Sequence, residues 1–251
     1  MKPSIGIFGL SGCWGEQIVI LNCEDQLLQL ASEVDLADFR AASSAEGDDS
    51  PLAIAFVEGS VGSSVDEATL RRIRARAALL VACGSCACFG GVAATDEETH
   101  AARLALVYGS SAASRDSRPH RPLGDVVKVD LEIPGCPMEK DEFLQAVASL
   151  VNGDRPEKPV YPVCAECRMA EHECLLDKGM PCVGPVTAAG CHARCPGFNV
   201  ACIGCRGPVE EANFEAMRAI LARMGLQDED IRRRLHMFAP QPSDAGKERR
   251  S

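Results

Sequence analysis

An α/β fold is predicted, a parallel sheet flanked by helices and followed by a smaller, irregular, cysteine-rich domain. Three observations carry this expectation. Apolar runs alternate with helix-like stretches through the first part of the chain, Gly- and Cys-bearing turns follow several of the runs, and from Pro156 onward apolar periodicity gives way to Pro, Gly and Cys. The expected domains are 1–154 and 155–251.

The elements follow in order. Strands are expected at Ser4–Leu10, Val34–Phe39, Leu52–Val57, Ala78–Val81 and Val126–Ile133, because short near-continuous apolar runs suit a sheet buried on both faces. Between them, helices are expected near Glu16–Ser32, Val65–Ala75 and Glu139–Val151, the second opening with Ser64 as N-cap and acids in its first turn. Thr95–Pro122 is polar and broken by Gly, Ser and Pro, so it reads as a surface excursion. Two amphipathic helices, near Val209–Met224 and Asp228–Met237, close the chain.

With 251 residues and 46% hydrophobic content, the chain can bury a core. Its departure from average composition is 14 cysteines, against one tryptophan and two tyrosines. A net charge of −10 argues against nucleic acid as a partner. The basic clusters Arg232-Arg233-Arg234 and Lys247-Glu248-Arg249-Arg250 read as a solvated helix end and a frayed tail. The N-terminal residues show neither a small-residue cleavage site nor twin arginines, and no apolar run approaches the ~20 residues that a membrane helix requires. A cytoplasmic location is therefore expected, where thiols stay reduced and metal ligation is favoured over disulfides.

The turns after the strands bear the chemistry. They are Ser11-Gly12-Cys13-Trp14-Gly15-Glu16, Glu58-Gly59-Ser60-Val61-Gly62, Cys83-Gly84-Ser85-Cys86-Ala87-Cys88-Phe89-Gly90-Gly91 and Pro134-Gly135-Cys136-Pro137. Loops beyond the carboxyl ends of parallel strands share one edge, so Cys13, Cys86 and Cys136 are expected to converge there. Glycines around them let backbone approach a cluster and offer N–H donors to its sulfurs. Cys13 opens a C-x2-E rather than a C-x2-C, which leaves the fourth ligand open among Glu16, Cys23, Cys83 and Cys88; the last three otherwise read as core packing. Glu16 and Glu58, at strand ends, offer two readings: a part in proton movement, or, the one preferred, solvated or helix-capping acids.

The second set runs Cys164-x2-Cys167-x6-Cys174-x7-Cys182-x8-Cys191-x3-Cys195-x6-Cys202-x2-Cys205. Four thiolates satisfy one [4Fe–4S] cluster, and two quartets use every cysteine in the segment. The Cys195-Pro196 pair resembles the Cys-Pro ending of bacterial ferredoxin motifs, in which proline keeps helix from forming beside the cluster. Paired C-x2-C elements also make zinc knuckles, but these recur at roughly 15–20 residues, whereas four further cysteines separate Cys167 from Cys202.

Together these motifs resemble the small (delta) subunit of cytoplasmic NAD(P)-linked [NiFe] hydrogenases, the sulfhydrogenase type, with relatives in methyl-viologen- and deazaflavin-reducing hydrogenases. The resemblance covers Gly6 to about Met237. It rests on the four turns above and on Cys182-Val183-Gly184-Pro185-Val186-Thr187, Gly190-Cys191, Ala193-Arg194-Cys195-Pro196 and Cys202-Ile203-Gly204-Cys205-Arg206-Gly207. It implies a flavodoxin-like first domain with a proximal [4Fe–4S] cluster on Cys13, Cys86 and Cys136, Glu16 standing where the family has a cysteine. It implies a distal cluster on Cys164, Cys167, Cys174 and Cys182, and a medial one on Cys191, Cys195, Cys202 and Cys205. H2 chemistry then belongs to the nickel–iron centre of a large subunit, with flavin- and NAD(P)-binding and further iron–sulfur subunits as the remaining partners. Two rival readings are the small subunit of a quinone-reducing complex and a zinc-stapled interaction protein. The former type lacks the cysteine-rich extension and carries adjacent cysteines near its first strand, which are absent here.

Overall fold

The structure is a computed structural model that describes residues 2–44 and 49–239. The chain divides into two compact units, Met1–Asn152 and Gly153–Ser251.

In the first unit five strands form one parallel sheet: β1 (Ser4–Gly9), β2 (Asp35–Phe39), β3 (Leu52–Glu58), β4 (Ala77–Cys83) and β5 (Leu131–Ile133), in the order β2-β1-β3-β4-β5. This is the flavodoxin-type order, whose reversal beside β1 opens a crevice at the strand ends. Ile54, Ala55, Phe56 and Val57 of β3 are all buried, because apolar side chains cover the central strand on both sides. On one face Ile7, Ile54, Phe56 and Val81 pack with Ile20 of α1 (Gly15–Leu21) and with Phe143 and Val147 of α6 (Lys140–Val151). On the other, Ala55, Val57, Leu80 and Ala82 pack with Leu70 and Ile73 of α3 (Ser64–Arg76) and with Leu123.

Local details differ from the sequence expectation. The single helix expected at Glu16–Ser32 is broken into α1 and α2 (Glu24–Glu33), because Cys23 is fully buried between them, its thiol donating to Val19 O at 3.5 Å. The cap of α3 is Ser63, not Ser64. Ser63 Oγ accepts from Asp66 N at 3.0 Å and donates to Asp66 Oδ2 at 2.8 Å, a reciprocal lock that only the residue three before Asp66 can make. The excursion 95–122 holds a helix, α5 (Glu97–Tyr108), capped by Asp96, whose Oδ1 accepts from Thr99 N at 2.7 Å; it buries no side chain, so cap and propensity rather than packing form it. Only Leu131–Ile133 of the expected fifth strand joins the sheet, since Asp130 Oδ2 takes the Leu80 N–H at 2.9 Å in place of a ladder partner, and Val126, Val127 and Val129 pack on the core outside it. After β4 comes the short α4 (Gly84–Phe89).

The second unit carries α7 (Val163–Met169), a short α8 (Arg194–Gly197), α9 (Phe214–Arg223) and α10 (Asp228–Leu235). Asn213 starts α9 later than expected, its Oδ1 accepting from Ala216 N at 2.9 Å. Val163, Val183, Val186, Met217, Leu221 and Ile231 make a small core, and bridges Pro162 to Ala188 and Thr187 to Pro208 tie the irregular segments together. The tail Lys247–Arg250 lies outside the described residues. Among the described residues, no helix is long and apolar enough to cross a membrane.

Candidate iron–sulfur sites

None of the 14 cysteines forms a disulfide. Three of them pack into the core of the first unit: Cys23, Cys83 and Cys88 are buried, with sulfurs on the carbonyls of Val19, Val81 and Ala82. The other eleven fall into the groups set out above.

In the first unit Cys13 and Cys136 lie on loops, and Cys86 on α4, that backbone hydrogen bonds draw together at the carboxyl ends of the strands. Ser60 N donates to Ser11 O at 2.8 Å, and Leu10 N to Glu58 O at 2.9 Å, which ties the Cys13 loop to the end of β3. Ser85 N donates to Gly135 O at 2.7 Å, which ties the Cys86 helix to the Cys136 loop. The Cys136–Pro137 peptide is cis. Cys13 and Cys136 are exposed. Gly91 is required beside Cys86: its φ is 68° and a Cβ there would stand 2.6 Å from Cys86 Sγ.

Glu16 lies buried beside this group. It is 5% exposed and Glu58 is 2% exposed, which overturns the expectation of solvated or capping acids. Gln17 Nε2 donates to Glu58 Oε1 at 2.9 Å, while Glu58 Oε2 is buried without a donor. Burial, then the neighbouring Glu58, push Glu16 up to about 7. Burial likewise raises Glu58. Gly84, at φ 82°, leaves the space that the Glu16 side chain fills; a Cβ there would lie 2.8 Å from Glu16 Cγ and closer still to its carboxyl. Burial and then the Glu16 charge raise the thiols of Cys86, to about 12, and Cys136. Glu16 is thus the foremost charge acting on both. Gln17 carries no motif in the sequence; only its place one residue after Glu16 on α1 turns it to Glu58.

In the second unit, Cys164 and Cys167 project from α7. Burial, then the charges of Cys182, Cys167 and Cys174, lift Cys164 to about 11, and burial with Cys182 and Cys174 raises Cys167. These four sulfurs are therefore neighbours. Gly184 lies between two of them, its Cβ position 3.4 Å from Cys164 Sγ and 3.5 Å from Cys182 Sγ. Cys202 is pushed up to about 12 by burial, with Cys182 and Cys205 adding to it. Its N–H donates to Cys182 Sγ at 3.3 Å, so the two quartets adjoin. Burial and the Glu166 carboxylate raise Cys191, while Arg206 opposes them; Cys195 sits half-buried in α8.

Thiols that burial and mutual repulsion hold protonated fit a cationic centre, because metal charge offsets both effects and coordination needs thiolates. Glycines beside Cys86, Cys164 and Cys182 leave the space that such a centre needs.

A flavodoxin-ordered sheet with three cysteines on its strand-end loops, joined to a cysteine-rich unit, defines a class of iron–sulfur oxidoreductase subunits. The family described as NADH ubiquinone oxidoreductase, 20 Kd subunit, matches residues 13–150. Sulfhydrogenase 2 subunit delta of Pyrococcus furiosus is 39% identical over 94% of this chain and 98% of that protein. A subunit of the F420-non-reducing hydrogenase vhu of Methanocaldococcus jannaschii is 28% identical over 84% of each chain. Within that class, the chain belongs to the small-subunit family of [NiFe] hydrogenases. Among solved structures, an NAD+-reducing [NiFe]-hydrogenase chain matches with TM-score 0.55 and 28% identity, over 63% of this chain and 96% of that one. A chain of the actinobacterial-type NiFe-hydrogenase from Ralstonia eutropha H16 shares the fold alone, with TM-score 0.61 and 16% identity over 97% of this chain and 84% of that one.

Proposed function

We propose that this chain is the electron-relay small subunit of a cytoplasmic [NiFe] hydrogenase and carries three [4Fe–4S] clusters. In this reading they link the nickel–iron site of a large subunit to flavin- and NAD(P)-reactive and further iron–sulfur partners. When bound, each cluster takes up and passes on one electron at a time. The observation that carries the reading is the recurrence of buried, mutually repelling thiols with glycine space beside them, at the strand ends and again in the second unit.

The roles follow by group. Cys13, Cys86 and Cys136 hold the proximal cluster, and Glu16, whose charge bears on two of them, takes the fourth corner as a carboxylate. Cys164, Cys167, Cys174 and Cys182 hold the distal cluster; Cys191, Cys195, Cys202 and Cys205 hold the medial one. The NAD(P) acceptor is suggested by a relative named NAD-reducing hydrogenase HoxS subunit delta, of Cupriavidus necator, 31% identical over 61% of this chain and 80% of that protein. No side chain of this subunit is assigned acid–base work on H2.

Anaerobic purification with metal analysis and EPR of the reduced protein tests this. About twelve irons per chain, as three four-iron clusters, are expected. Stoichiometric zinc in an EPR-silent sample would overturn it in favour of a metal-stapled interaction protein. A second reading, the small subunit of a quinone-reducing complex, draws on the family match at 13–150. That match stops before the cysteine-rich unit, whereas the sulfhydrogenase subunit aligns over 94% of the chain, so the hydrogenase reading is preferred.

A further inference from the structure

Glu166 stands between two ligand groups. In sequence it lies inside the Cys164-Ala165-Glu166-Cys167 turn of α7, flanked by two cysteines of the distal set. In space its carboxylate leaves that helix and caps the loop bearing Cys191, of the medial set. Its Oε1 accepts from Gly190 N at 2.7 Å and its Oε2 from Ala193 N at 3.1 Å, and Cys191 Sγ lies 3.9 Å from Oε2.

The loop needs such a clamp. Gly190, His192 and Ala193 all have positive φ, at 111°, 53° and 48°. For residues with a Cβ, such as His192 and Ala193, the left-handed region crowds the following carbonyl oxygen, so the turn is strained even with Arg194 N donating to Cys191 O across it at 3.1 Å. Two charge-assisted hydrogen bonds from one carboxylate offset that strain. On the other side, Arg206 is 3% exposed, donates from Nε to Ala189 O at 2.6 Å, and lies across Gly190, where a Cβ would stand 2.8 Å from its Cζ. Cys191 is therefore set between a carboxylate and a guanidinium, both fixed by backbone.

We propose that Glu166 is a positioning residue that ties the medial ligand loop to the distal ligand helix and, by its negative charge beside Cys191, lowers the reduction potential of the medial cluster. This rests on the cluster assignment above. Removing an anion next to an iron–sulfur cluster favours its reduced form, so the potential rises. Removing both acceptor oxygens frees the Gly190 and Ala193 amides.

The test compares the wild-type subunit in its assembled, anaerobically purified complex with Glu166→Gln and Glu166→Ala. Glu166→Gln keeps size and one acceptor; it is expected to retain the full iron complement and to shift one of three potentials upward in an EPR-monitored redox titration, the others staying in place. Glu166→Ala is expected to speed hydrogen exchange at Gly190–Ala193, with loss or spectral broadening of one cluster only. Unmoved potentials in Glu166→Gln, unchanged exchange in Glu166→Ala, or iron lost from all sites together would each overturn the proposal. Wild-type iron content separates this from the broader reading: with about twelve irons and an inert Glu166→Gln, only the role of Glu166 fails, whereas zinc in the wild type removes the relay itself.

Discussion

Gly84→Ala probes the buried space that holds Glu16, beside the proposed proximal site. Gly84 has φ 82°, where an alanine loses about 1–2 kcal/mol. Its new methyl would also overlap the buried Glu16 carboxyl, and overpacking of this kind costs about 1–3 kcal/mol. Gly153→Ala isolates the first contribution, since Gly153 has φ 83° with nothing within 4 Å of the added methyl. At roughly 2–4 °C per kcal/mol for a chain of this size, Gly153→Ala should lower the apparent thermal midpoint by about 2–8 °C and Gly84→Ala by about 4–20 °C. The Gly84→Ala/Glu16→Ala double variant should recover the overlap cost as a favourable coupling of about 1–3 kcal/mol. Midpoints would be read by far-ultraviolet circular dichroism under argon, with hydrogen exchange at β4 as the local report. A Gly84→Ala variant no worse than Gly153→Ala, or a cycle with no coupling, would refute the claim that Glu16 occupies the space above Gly84.

Three further outcomes are expected. On the proposed ligand set, Glu16→Cys gives the proximal site four thiolates and should change the EPR signal and potential of that cluster alone; unchanged spectra would show that position 16 does not ligate. Burial by itself would raise the Asp130 carboxyl, but the Leu80 N–H, Arg74 and Lys128 outweigh it and bring it from 3.8 down to about 2. A depressed carboxyl stabilises the fold above its unfolded value and loses that contribution as pH falls through the folded one. Asp130→Asn should accordingly cost about 2 kcal/mol at neutral pH, and the variant should lack the loss that the wild type shows between about pH 4 and 2. Glu58→Gln removes the charge and hydrogen bond that help to raise Glu16. A pH titration of the cluster-free protein by carboxyl-edited infrared spectroscopy should find the Glu16 midpoint lower than in the wild type, and an unmoved midpoint would show that the two acids do not interact.

Much of this protein is written locally. The strand cores, the strand-end turns with Cys13, Cys86 and Cys136, and the run from Cys164 to Cys205 are legible because apolar periodicity and cysteine spacing are properties of the chain itself. The misread places turn on particular side-chain contacts, local or distant. Cys23 breaks a helix because the core accepts its thiol, and Asp130 ends a strand by taking the Leu80 amide. Ser63 and Ser64 are equivalent as letters until Asp66 reaches back to one of them.

The same division holds at the sites. Sequence alone determined which cysteines are candidates, that eight of them fall in one segment, and that an acid stands where a fourth cysteine was expected. Only the tertiary structure turned Glu16 inward towards Glu58, set Gln17 on Glu58, and placed the Glu166 carboxylate on the Cys191 loop. Those contacts join residues 42 and 41 positions apart in the first case and 24 to 27 apart in the second. The strength of a buried charge depends on what lies around it in space, and no spacing rule records that.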